Sequence, residues 1–72
     1  MAVRYFEFID DKSQKFWEIT VSGSDVTVRY GRIGSDGQSK TKSLGDEATA
    51  ARHTEKMIAA KTRKGYVETV AR

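Results

Sequence analysis

The chain contains no cysteine, no proline and a single histidine, His53. Without cysteine it has neither disulfides nor a thiolate zinc site, and a lone histidine excludes the paired-histidine metal motifs. No metal and no cofactor is therefore expected. Long apolar runs are also missing: nothing approaches the roughly 20 residues that cross a bilayer. The opening residues, Met1 to Glu7, lack the apolar segment and small-residue cleavage site of a secretory leader. These absences point away from secretion and membranes and toward a cytoplasmic protein. Low-complexity segments, internal repeats and linkers are missing as well, and 72 residues allow one small domain, 1–72.

Charge is plentiful but uneven. Thirteen basic and ten acidic residues give a net +3 and a pI near 9.4. Residues 1–39 carry five basic and six acidic side chains, whereas residues 40–72 carry eight and four. The densest basic stretch holds Arg52, Lys56, Lys61, Arg63 and Lys64 against Glu55 alone. A small basic domain with its charge gathered in one region has the electrostatic footprint of a polyanion binder. A solvated lysine-rich helix face reads the same way, so charge leaves both open.

Hydrophobic periodicity gives the fold class. Residues 3–9 are β-branched and aromatic, and 15–22 alternate, with Trp17, Ile19 and Val21 on one face and Phe16, Glu18 and Thr20 on the other. Residues 26–33 alternate again, and the polar run 38–43 suits an exposed edge strand. Polar or glycine-bounded turns separate these segments. A helix follows. Ser43 with Asp46 resembles a capping box, and Asp46 and Glu47 place negative charge where the helix dipole favours it. Ala50, Ala51, Thr54, Met57, Ile58 and the stem of Lys61 share one face at 100° per residue. Gly65 stands where a left-handed C-terminal cap belongs, after which Tyr66 and Val67 fold back or add a short strand. The pattern predicts an α+β domain: an antiparallel sheet of about four strands with one C-terminal amphipathic helix.

Three segments in order carry a family resemblance: Lys15-Phe16-Trp17-Glu18-Ile19, then Val28-Arg29-Tyr30-Gly31-Arg32-Ile33-Gly34, then a helix from Asp46-Glu47-Ala48 to Lys61-Thr62-Arg63-Lys64-Gly65-Tyr66. Together they resemble the WGR domain, found in DNA-dependent poly(ADP-ribose) polymerases and in small bacterial proteins. The resemblance runs from about residue 4 to 68. It departs at Tyr30, where the name-giving tryptophan stands in the family; tyrosine keeps a large aromatic there with less stacking area.

The resemblance implies a non-catalytic module that holds a DNA end or strand break with little sequence specificity. By similarity, Tyr30 stacks on a terminal nucleotide, Arg32 reaches DNA or a neighbouring domain, and Lys15 and Lys61 contact the phosphate backbone. Lys40 is a looser match. The chemistry is compatible with this: lysines act as point charges toward phosphate, arginine as a bidentate donor, and an aromatic as a stacking platform. With about four phosphates neutralised, log K on duplex DNA should fall with log salt at a slope near −3.6.

Each assignment has a structural counterpart. Alternation puts Tyr30 on the face of Val26 and Val28, so it is a core aromatic unless a bulge at Gly31 re-aims it. Arg32 suits a structural salt bridge as well as a contact, and Lys61 suits packing over the core as well as phosphate. Gly31, Gly34 and Gly37 lie between strands rather than ahead of a helix, which excludes a phosphate loop and favours turn geometry. The alternative function is a protein-interaction module that retains the fold without binding DNA; an exposed Phe6 or Phe16 would mark it. An enzyme is not expected, since no positioned acid and base can be identified.

Overall fold

In the computed structural model, residues 2–71 are described; Met1 and Arg72, the ends of the expected 1–72 domain, lie outside them. Five strands and one helix follow in the order β1 (Ala2–Ile9), β2 (Gln14–Ser22), β3 (Asp25–Arg32), β4 (Gln38–Ser43), α1 (Glu47–Arg63) and β5 (Val67–Glu68). The antiparallel sheet has the spatial order β4-β3-β2-β1-β5. The α+β layout expected from periodicity is present, with β5 as a short fifth strand on the β1 edge. Polar side chains fit the reversals to their tasks. Asp10 Oδ1, for instance, accepts the amides of Lys12 and Ser13 at 2.8 and 2.6 Å and tightens the β1–β2 turn.

Register decides which face each side chain takes. Phe6, Trp17 and Tyr30 lie opposite one another across β1, β2 and β3, as do Arg4, Ile19 and Val28. This is the face that α1 covers. Phe6, Trp17, Ile19, Val26, Ala50 and Ile58 form the buried core, and Val28, Tyr30, Leu44, Met57 and Tyr66 pack against it. Removing each large apolar side chain from water contributes about 1.5–3 kcal/mol. Ala51, expected on the apolar face of the helix, is exposed on its flank.

The opposite face has no helix, yet it holds Phe16 at 3% exposure and Tyr5 at 7%. Two devices cover them. The rings of Tyr5 and Phe16 stack 5.9 Å apart at 16°, and the Arg29 guanidinium lies 4.5 Å from the Phe16 centroid. Arg29 also donates to Glu18 Oε1 at 3.1 Å and to the carbonyl of Asp36 at 2.8 Å, drawing the β3–β4 loop over the stack. That closure needs glycine. A Cβ at Gly31 would sit 2.8 Å from Gly37 Cα, and one at Gly37 would sit 2.6 Å from the Tyr30 carbonyl oxygen and 2.7 Å from Phe16 Cζ. Gly31 is a close-approach residue, not a bulge: the β2–β3 register runs unbroken through it. Phe6 is 2% exposed, so neither aromatic that would have marked an apolar docking face is available.

The helix starts later than its sequence suggests. Leu44 still donates its amide to Ser24 O, so Ser43 remains in β4 and cannot cap a helix. Gly45, at φ 90°, then reverses the chain, and Asp46 becomes the N-cap by accepting the Thr49 amide at 2.7 Å. That bond holds the Asp46 carboxyl below its ordinary range.

Candidate nucleic-acid interface

Four elements converge at one end of the helix-covered face. From β1 comes Phe8, from β2 Lys15 directly opposite it, and from β3 Arg32 opposite Lys15. The end of α1 contributes Lys61. Its last turn closes as a Schellman motif: the Gly65 amide donates to Thr62 O at 3.0 Å and the Tyr66 amide to Lys61 O at 3.1 Å. Gly65 takes φ 109°, and its α-carbon faces the Phe8 ring so closely that a Cβ would lie 2.9 Å from Phe8 Cε2. The reversal lays Tyr66 against Phe8, ring centroids 5.5 Å apart.

Around Tyr66 the two ammonium groups gather. Lys15 Nζ lies 5.9 Å from the Tyr66 centroid and 5.1 Å from that of Phe8; Lys61 Nζ lies 5.4 Å from Tyr66 and 5.6 Å from Trp17. These are cation–π distances. Desolvation pushes the Lys61 ammonium below the ordinary lysine range, and repulsion from Lys64 and Lys15 adds to it. The salt bridges among the described residues join Arg4 to Glu55 and Glu68, and Arg29 to Glu18. None involves Lys15, Lys61 or Arg32, so the cluster concentrates positive charge with no salt bridge to a carboxylate among the described residues.

The structure thus brings Lys15, Arg32 and Lys61 to one end of the sheet and sets Tyr30 beside them. Tyr30 is half-buried, next to Trp17 in the register and packed on the core. Two residues further along β3, Arg32 is exposed at the strand end. Lys40 stands apart: it is opposite Val28 on β4, while Gln38 takes the position beside Tyr30. Tyr66, the ring at the centre of the cluster, was not among the site residues expected from the sequence. The signal was nevertheless present, in a glycine at the helix end followed by an aromatic predicted to fold back.

This geometry coincides with a family match. The WGR domain model matches residues 2–72, and the chain belongs to the WGR domain family. WGR domains are binding domains, and membership is consistent with nucleic-acid binding in general. Among similar proteins, Protein YehF of Escherichia coli is 42% identical over 66 residues, covering 92% of this chain and 24% of its own length. The uncharacterized protein YfeS of the same organism is 43% identical over 63 residues, 88% of this chain and 26% of its own. A Bacteroides fragilis protein of known crystal structure superposes with a TM-score of 0.93 at 51% identity, over 96% of this chain and 20% of that one. The chain therefore spans about a quarter of the length of the curated relatives it matches. No helix among the described residues is long and apolar enough to cross a membrane.

Proposed function

We propose that this domain is a non-catalytic module that binds DNA at an end or strand break through the Lys15–Arg32–Lys61 cluster. The observation that supports this most is the gathering of Lys15 and Lys61 around Tyr66 with no salt bridge to a carboxylate among the described residues. Bringing two ammoniums together costs free energy that a phosphate between them offsets. Arg32 at the end of β3 supplies a bidentate donor for the next phosphate. Tyr30, half-buried beside them, is the aromatic ring we assign to stack on a terminal base, and the strand break exposes the base face it needs. None of these groups sits on an element shaped to enter a groove and read base edges, so recognition is by backbone charge and stacking. The setting we assign is cytoplasmic.

The test is fluorescence anisotropy of a labelled, 5′-phosphorylated nicked duplex against an intact duplex of the same sequence. The expected result is salt-sensitive binding with preference for the nick and indifference to sequence. Equal affinity for both duplexes would confine the function to general polyanion binding. No binding at low salt would remove the reading.

A further inference from the structure

A second basic surface lies at the other margin of the sheet, and it has a different composition. Helix α1 packs chiefly on β2 and β3. Between α1 and β4 runs a groove floored by Val26, Val28 and Met57 and edged by Lys40, Lys42 and His53. Lys42 and His53 also line its continuation, where Leu44 extends the floor and Arg52 and Lys56 the basic rim. The carboxylate there, Glu55, is drawn toward Arg4 at 3.6 Å.

Among the described residues, the outer side of β4 has no strand paired to it. The Leu44 amide bonds to Ser24 O, which makes that position a hydrogen-bonded pair of the β3–β4 ladder. Antiparallel ladders alternate, so Lys42 and Lys40 also turn their backbone groups toward β3. Thr41 opposite Thr27 is then a closer, non-hydrogen-bonded pair, in keeping with their hydroxyls 2.8 Å apart. Ser39, Thr41 and Ser43 consequently direct their N–H and C=O groups outward. All six residues of β4 are exposed, and no proline interrupts them.

We propose that this edge and groove together receive an extended acidic peptide, which adds to β4 as a further strand. Backbone groups of Ser39, Thr41 and Ser43 would hold its main chain. Because strand side chains alternate, every second residue of the peptide faces the groove. There Lys40 and Lys42 select carboxylates, and the Val28–Met57 floor takes an apolar side chain between them. The same two lysines repel β4 of a second copy, so the edge is closed to self-pairing. Nucleic acid fits less well: the groove lining has no phenylalanine, tyrosine or tryptophan ring on which a base could stack, and His53 stands at its edge.

The experiment is an amide-detected NMR titration of the isotope-labelled protein with the capped peptide Ser-Glu-Thr-Leu-Thr-Glu-Ser. Its Glu, Leu and Glu side chains share one face when extended. The expected result is saturable shifts at the amides of Ser39, Thr41 and Ser43 and at the Val28 and Met57 methyls. The double variant Lys40→Glu/Lys42→Glu should weaken binding about tenfold and bind instead the peptide with lysine in both glutamate positions. That exchange of partners also reports that the variant is folded. Shifts confined to the Lys15–Lys61 end, or no shifts at millimolar peptide, would overturn the proposal. So would a single-stranded oligothymidine that moves the β4 amides while the peptide does not.

Discussion

Lys61 and Tyr66 are joined twice within one helical turn. The Tyr66 amide donates to the Lys61 carbonyl at 3.1 Å, and the Lys61 ammonium lies 5.4 Å from the Tyr66 ring centroid. The turn that ends the helix is thus the same device that assembles the basic cluster, with Gly65 as its hinge. Gly65→Ala forces a side chain onto φ 109° and drives its Cβ toward Phe8. A left-handed position costs a non-glycine residue about 1–2 kcal/mol. Thermal unfolding should show that loss, and titration of the nicked duplex should show weaker binding although no contacting side chain has changed.

Tyr30 separates packing from stacking. Tyr30→Phe retains the ring against the core and should keep both stability and DNA affinity. Tyr30→Ala removes a stacking surface worth about 1–3 kcal/mol per base, so affinity for the nicked duplex should fall between about fivefold and a hundredfold. Tyr30→Trp, which enlarges the ring, should strengthen binding. Anisotropy on the three variants, with circular dichroism confirming the fold, checks the order.

The β3–β4 loop is held by a clasp at Gly37, Phe16 and Arg29. Gly37→Ala meets both a positive φ and a carbonyl oxygen, and should destabilise by more than Gly31→Ala, whose obstacle is steric alone. Overpacking of this kind costs about 1–3 kcal/mol. Urea denaturation of the two variants measures the order, and Phe16→Ala, losing about 3–5 kcal/mol, should exceed Gly31→Ala.

Much of this was legible in the sequence, and the places where it was not share a cause. Strand alternation placed Trp17, Ile19, Val28 and Tyr30 on one face because the period of two survives any tertiary environment. The Schellman glycine was legible for the same local reason. The cover over Phe16 was not, because it depends on Arg29 reaching a carbonyl seven residues away across a loop. Ser43 was misread as a cap because β3 keeps hold of Leu44 through a ladder bond invisible to local pattern. Lys40 is a looser match by resemblance, and its position relative to Lys15 depends on strand register, which sets it opposite Val28.

Acid should loosen the fold at two identified points. The Arg4 guanidinium, at 2.8 Å, holds the Glu68 carboxyl below its ordinary value, and the Thr49 amide does so for Asp46. A carboxyl depressed in the folded state contributes stability above its unfolded pKa. That contribution is lost as pH falls through the folded value. Melting temperature should therefore decline below about pH 4, and Asp46→Ala or Glu68→Gln should flatten the decline. Lys61 acts oppositely in binding: its lowered pKa means that DNA affinity should fade with rising pH earlier than an ordinary lysine would allow.

The most direct test of the central claim is the salt dependence of nicked-duplex binding in the wild type and in Lys15→Ala, Lys61→Ala and Lys40→Ala. If the cluster around Tyr66 holds phosphates, the first two variants should each reduce the slope of log K against log salt by about 0.9. Lys40→Ala should leave it nearly unchanged. Slopes unaffected by Lys15→Ala and Lys61→Ala would contradict the assignment and move the DNA contact elsewhere on the domain.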